Sequence, residues 1–263
     1  YVLMNYDYEY FKAEVYKLTT IDLNLYKERQ MKRRIDTLIE RNRIQGYDEY
    51  IKAIKQDKAL FEEFVNYLTI NVSEFYRNPE QWKILDTQIY PMLKERFRKP
   101  LKIWSAACST GEEPYSLVMS LTKHYNLSEI EIQATDIDLQ VMEKAKVGVY
   151  AQKSIAAVPE EMKKKYFKDV QLSVQVDEEI KKRVKFRQHN LLRDPFIKDC
   201  DLIVCRNVLI YFTDEAKDEI FQKFYDCLKP GGVLFIGSTE QIMNYKEIGF
   251  LRKASFFYEK PLV

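Results

Sequence analysis

The chain has 263 residues, 46% hydrophobic and 31% charged, and its 42 basic and 40 acidic side chains leave a formal charge of +2. That size suits one large or two modest domains with a sizeable core, and the charge balance gives no global attraction to nucleic acid or to a membrane surface. No apolar run approaches the length of a membrane span and no signal-peptide pattern opens the chain, so a cytoplasmic protein is expected.

Residues 1–78 read as an all-helical domain of four or five helices. Residues 6–18 put Tyr10, Phe11, Val15 and Leu18 on one face of an amphipathic helix. Asp22, Asp57 and Asn78 precede helical runs as N-cap candidates, and Pro79 is a favoured first helical residue. Gly46, the one glycine before position 111, is expected to separate two helices. A helix over 27–43 carries Lys27, Arg29, Lys32, Arg33, Arg34, Arg41 and Arg43 against Glu28, Asp36 and Glu40. Such a face is either simply solvated or steers an acidic partner. No aromatic residues interleave with it, which disfavours nucleic acid. Residues 79–98 are predicted as a connecting helix that runs on into a second domain over 99–263.

From residue 101 the pattern changes. Strands are predicted at 101–105, 130–135, 184–188, 201–205, 233–237 and 255–259, with helices over 114–124, 139–146 and 214–228. The alternation predicts an α/β domain with a mostly parallel sheet. Lys229-Pro-Gly-Gly232 reads as the stop of the last long helix. The final strand follows too short a loop for a crossover helix, so it is expected to pair antiparallel. Residues 150–183 break the rhythm with a charged helical stretch over 158–168 and then alternating Leu172, Val174 and Val176. They are read as an insertion containing a small antiparallel element.

In such a sheet, ligands bind outside the carboxyl ends of the strands. The turn 106–111 after the first strand is built of small residues and ends in Gly111, with no G-x-G-x-x-G. A dinucleotide's pyrophosphate needs successive glycines for backbone approach, whereas a cofactor without phosphate tolerates Ala107 and Ser109. Asp136, closing the second strand, is placed to take both hydroxyls of an adenosine ribose, while Asp138 suits a helix N-cap. Asn190 and Leu191 would flank an adenine. Glu113 could pair with a cationic amino group or simply favour a helix dipole. Cys108, Cys200, Cys205 and Cys227 follow no metal spacing and read as reduced, buried thiols. With only His124 and His189 present, neither a histidine-rich metal site nor histidine-centred catalysis is expected.

Trp104-Ser-Ala-Ala-Cys-Ser-Thr-Gly-Glu-Glu-Pro-Tyr-Ser116 resembles the signature of the chemotaxis protein methyltransferases, the CheR family. The resemblance extends through Asn71-Val-Ser-Glu-Phe-Tyr-Arg77, Ala134-Thr-Asp-Ile-Asp138, Asn190-Leu-Leu192, Cys205-Arg-Asn-Val-Leu-Ile-Tyr-Phe212 and Leu228-Lys-Pro-Gly-Gly232. It covers almost the whole chain. It implies a class I methyltransferase (Rossmann-like) sheet closed by an antiparallel hairpin, preceded by a helical domain. It also implies methylation of glutamate side chains in bacterial chemoreceptors, with S-adenosylmethionine as methyl donor, S-adenosylhomocysteine as product and no metal. By the resemblance, Asn71, Ser73, Arg77, Glu113, Asp136, Asn190, Leu191, Arg206 and Asn207 contact the cofactor. It also puts Tyr211 near the transferred methyl group. The chemistry of transfer to a carboxylate leads to the expectation that Arg77 holds the cofactor's carboxylate or shapes the site while Tyr211 orients the incoming glutamate. The implied partner is the cytoplasmic helical region of chemoreceptors, approached by the basic helix 27–43, with no nucleic acid and no membrane insertion.

Two departures stand out. Ser73 replaces the usual threonine, and the insertion lacks the glycines of members that grip a receptor peptide, which weakens the expectation of peptide tethering. Two other readings remain open: a class I methyltransferase of another substrate, and a non-catalytic module that senses the cofactor and docks receptors.

Overall fold

A computed structural model describes residues 5–69, 73–238 and 240–263. The chain divides into two compact units, one holding the first 70 residues together with Leu209–Glu219, the other holding 71–208 and Ile220–Val263.

The first unit is helical, with α1 (Tyr8–Thr19), α2 (Glu28–Arg41), α3 (Tyr47–Gln56) and α4 (Lys58–Thr69). Two of the predicted caps act as such. Asp22 accepts from the Asn24 amide at the start of a 3-10 turn, and Asp57 from the Ala59 amide ahead of α4. Gly46 separates α2 from α3. Phe11, Tyr50 and Phe64 are completely buried and meet edge to face, with Phe64 5.9 Å from Phe11 and 5.7 Å from Tyr50. Leu209–Glu219 joins this unit through backbone bonds from Lys27 N to Tyr211 O (3.0 Å) and from Thr213 N to Leu25 O (2.9 Å), with Tyr26 edge-on to Phe212.

The second unit opens with α5 (Pro79–Ile84) and α6 (Tyr90–Phe97), joined by a π-helical turn at Leu85–Ile89. The sequence predicts one uninterrupted helix here. Pro91 supplies the reason for the wider turn: it has no N–H to donate and its ring crowds the carbonyl four residues back. The chain continues through β1 (Ile103–Ser105), α7 (Glu112–Leu121), β2 (Ile132–Asp136) and α8 (Leu139–Val147). The insertion follows: β3 (Val149–Ala151), α9 (Glu160–Tyr166), β4 (Phe167–Val170), β5 (Ser173–Val176) and α10 (Glu178–Lys181). Its strands form a separate antiparallel sheet in the order β3-β5-β4, as the alternating valines require.

Then come β6 (Val184–Gln188), β7 (Cys200–Cys205), α11 (Asp214–Cys227), β8 (Leu228–Ile236), α12 (Tyr245–Ile248), β9 (Leu251–Ala254) and β10 (Phe257–Glu259). The main sheet has the order β6-β2-β1-β7-β8-β10-β9. It is parallel from β6 to β8 and closes through β10, antiparallel to both β8 and β9. The closing hairpin is therefore present, but β9, too polar to read as a strand, was not predicted.

Lys229-Pro-Gly-Gly232 follows the end of α11 at Cys227, as the sequence reading has it. It lies inside β8, which begins by pairing Leu228 with Cys200 and then shifts register. β7 is buried along its whole length, as a central strand between two parallel neighbours must be. All four cysteines are free and buried, as predicted.

Candidate active site

Strand order reverses between β1 and β7, because β2 and β6 extend one way and β8 the other. The crevice outside the carboxyl ends of β1 and β7 is thus the topological switch point of this sheet. The small-residue turn leaves β1 there and is tied at both sides. Ala106 N donates to Val204 O on β7 (2.8 Å), and Cys108 N to Thr135 O on β2 (2.9 Å). Gly111 begins α7 with φ +97°, a region L-residues avoid, and a Cβ at this position would stand 2.9 Å from both Ala145 Cβ and the Tyr150 hydroxyl. That hydroxyl donates to Thr110 O at 2.5 Å, so the insertion's first strand clamps the turn.

Asp136 ends β2 buried. One of its oxygens accepts from Ser109 N (2.9 Å) and the other from Asp138 N (3.0 Å). Burial outweighs these bonds and raises its pKa to about 6. Asp138 is the N-cap of α8, accepting from Gln140 N and Val141 N, in line with the sequence reading. Glu113, in the first turn of α7, accepts from the Ser105 hydroxyl at 2.7 Å. Burial raises its pKa to about 7 against the opposing charges of Arg206 and Arg77. The neighbouring Glu112 takes the hydroxyl bonds of Thr110 and Ser73, which is where the structure puts Ser73.

Arg206 follows β7 and is buried. Its Nη1 donates to Arg77 O (2.9 Å), and its Nη2 to Asn78 Oδ1 (2.9 Å) and Gln81 Oε1 (2.8 Å), with the guanidinium lying over Phe235. Its Nε–H has no protein acceptor among the described residues. Burial lowers its pKa to about 10, which leaves it charged. Asn207 has φ +62° and donates its amide to the buried Glu240. A Cβ on Gly237 would lie 2.7 Å from both the Asn207 and the Glu240 side-chain oxygens. Tyr76, Asn78 and Ser109 also have positive φ, so strained backbone gathers on the segments that form this crevice.

Asn190 organises the loop after β6. Its Oδ1 accepts from Leu192 N and its own amide donates to Asp194, with Leu191 buried beside it. His189 anchors this loop by donating its amide to Asp136 O (2.9 Å) and bonding Pro195 O through Nε2 (2.9 Å). Its ring packs on Trp104 and Phe196, and burial lowers its pKa, which suits a neutral prop.

Of the sequence-predicted residues, the second unit thus gathers Ser73, Arg77, Glu113, Asp136, Asn190, Leu191, Arg206 and Asn207. Asn71 lies outside the described residues. Tyr211 is counted with the helical unit. Glu112, Glu240 and His189 were missed. Glu240 alone left a signal, a carboxylate just past the carboxyl end of a strand. Among the described residues, no three potential metal ligands converge, and no helix is long and apolar enough to cross a membrane.

Residues 71–255 match the family model described as CheR methyltransferase, SAM binding domain, and residues 6–69 match CheR methyltransferase, all-alpha domain. The chain is 43% identical over 254 residues to a chemotaxis protein methyltransferase of Listeria innocua, covering 97% of both chains. It is 42% identical, at the same coverage, to one of Listeria monocytogenes. To a chemotaxis protein methyltransferase of Borreliella burgdorferi it is 31% identical, covering 92% of this chain and 90% of the relative.

Proposed function

Because the chain belongs to the CheR family of chemotaxis methyltransferases, which binds S-adenosylmethionine, we propose that it methylates glutamate side chains of bacterial chemoreceptors, forming glutamate methyl esters. The observation that carries this reading is the pair Glu113 and Asp136. Asp136 is buried and Glu113 half-buried, and both are carboxyls with raised pKa, held by neutral donors and forming no ion pair with a described residue. A cationic ligand with two vicinal hydroxyls fits such a pair. Asp136 accepts from the ribose hydroxyls, and Glu113 offers its charge to the amino group. Asn190 and Leu191 hold the adenine. Asn71, Ser73, Asn207 and the Nε–H of Arg206 complete the cofactor contacts, and Arg206 also fixes the 77–81 segment through its other donors.

The cofactor supplies a methyl group on a sulfonium: its carbon–sulfur bond breaks as the carboxylate oxygen–carbon bond forms, leaving S-adenosylhomocysteine. The acceptor glutamate, with a reference pKa of about 4.3, is already ionised at neutral pH, so no residue need act as general base. Charge is neutralised in this step, so the residues that exclude water from the crevice and fix the approach matter most. A bidentate arginine on the nucleophile would stabilise the ground state as well. Arg77 is therefore assigned to the cofactor's carboxylate and Tyr211 to orienting the glutamate.

The basic helix is assigned to receptor docking in the cytoplasm, with a refinement. Lys32 pairs with Asp36, Arg34 bonds Tyr67 O and Arg41 lies near Glu63. Lys27, Arg29, Arg33 and Arg43 make no ion pair with a described residue and remain for the acidic methylation helices.

Transfer of labelled methyl from S-adenosylmethionine to receptor-bearing membranes tests the proposal. Ester chemistry predicts that mild base releases the label as methanol. Base-stable label would overturn it.

A further inference from the structure

The crossover from β6 to β7, residues 189–199, contains no helix, so one face of the sheet over β2 and β6 lacks the helical cover that parallel sheets normally carry. Register places Trp104, Gln133 and Lys185 in one row on this face, with Thr135 and Arg187 in the next. Lys102, Glu131 and Arg183 stand one pleat earlier on the same side. Phe196 and Phe224 cover Trp104, but Lys185 and Arg187 are exposed. The result is a groove of about 700 Å³ that includes Lys102, Lys182, Arg183, Lys185 and Arg187.

Hydrogen bonding makes this groove a donor site. Lys102, Arg183, Lys185 and Arg187, which form no ion pair with a described residue, outnumber its two carboxylates, Glu129 and Glu131. Each carboxylate accepts one neutral donor, Asn126 N (3.2 Å) and Gln133 Nε2 (3.0 Å) respectively, while Lys182 pairs with Glu179. The side chains of Lys102, Lys185 and Arg187 have no partner among the described residues. Arg183 gives Nη1 to Ser128 O at a weak 3.4 Å, and its Nε is shut off from solvent with no acceptor. We infer that this groove binds a small, multiply charged oxyanion of the oligophosphate class. Lys185 and Arg187 lie two residues, about 6.6 Å, apart on β6, with Arg183 just before them, so one compact ligand with several acceptor oxygens can bridge adjacent rows. No aromatic ring lines the groove to stack a base. Exposed Lys185 and Arg187 on the edge strand β6 oppose a peptide adding as a further strand.

The site is separate from the proposed cofactor crevice, and calorimetric titration of the whole chain with inorganic tripolyphosphate tests it. Binding should be one-to-one, weaken with added salt and persist when S-adenosylhomocysteine is saturating. The double variant Lys185→Ser/Arg187→Ser should bind at least about tenfold more weakly, the scale of one lost charge-assisted contact. Its thermal midpoint and its methyl transfer without anion should be unchanged. The inference is overturned by absence of saturable binding, by displacement with S-adenosylhomocysteine, or by equal binding to the variant. It is likewise overturned if a glutamate-rich peptide of matched charge binds as tightly, because that outcome marks an acidic-protein surface.

Discussion

Replacing Glu113 with glutamine isolates the charge assigned to the cofactor's amino group. In the folded protein burial raises the Glu113 carboxyl to about 7, so it is ionised in about one molecule in ten at pH 6 and nine in ten at pH 8. S-adenosylhomocysteine carries an ammonium group through this range, and only the ionised carboxyl pairs with it. Affinity must therefore rise with pH, by roughly tenfold between pH 6 and 8. Asp136, raised to about 6, adds about a factor of two. Glu113→Gln should abolish the tenfold component, keep the smaller one, and weaken binding at pH 8 by about 1.5–3 kcal/mol.

Stability runs the other way. A carboxyl whose pKa is higher in the folded state binds its proton more tightly there, so Glu113 makes unfolding easier as pH climbs from about 4.3 to 7. The variant should flatten that slope. Calorimetric titration at pH 6, 7 and 8 reads the binding effect directly. A variant that retained the tenfold change, or a wild type without one, would refute the role given to this side chain.

Gly111→Ala combines a left-handed backbone with a Cβ 2.9 Å from Ala145 and Tyr150. It should cost about 2–4 kcal/mol and lower the thermal midpoint by roughly 5–10 °C in scanning calorimetry. Arg206→Met strands three acceptors on the 77–81 segment. It should destabilise by about 3–5 kcal/mol in denaturant unfolding, and Arg206→Lys should restore less than half because an ammonium cannot reproduce the fork. Neutralising Arg29, Arg33 and Arg43 together should lower kcat/KM on receptor-bearing membranes about tenfold at low salt and flatten its salt dependence, with S-adenosylhomocysteine affinity unchanged.

Much of the fold was legible because its signals are local. The strand at 184–188 appears with those bounds, and Asp22, Asp57 and Asp138 cap where their short acceptors predict. The π turn before Pro91 was not legible, since a proline near the middle of a long helix can kink, widen or end it, and the neighbours decide. The strand at Leu251–Ala254, carrying Arg252 and Lys253, owes its existence to pairing with β10 rather than to its own composition. In the site, Asp136 and the 106–111 turn were readable because strand ends fix them. That Arg206 gives three hydrogen bonds to residues 77–81, over 120 positions away, is a tertiary fact with no local trace. Tyr211 shows the same limit: six residues past the end of β7, it is held by a backbone bond from Lys27.

The claim that the nucleophile is a glutamate carboxylate is tested most directly by incubating the protein with S-adenosylmethionine and a chemoreceptor cytoplasmic region, then mapping the product by mass spectrometry before and after mild base. The account predicts one methylene of added mass on glutamate side chains, lost on base treatment. Base-stable methyl groups on lysine or arginine, or no transfer by a protein that still binds S-adenosylhomocysteine, would contradict it.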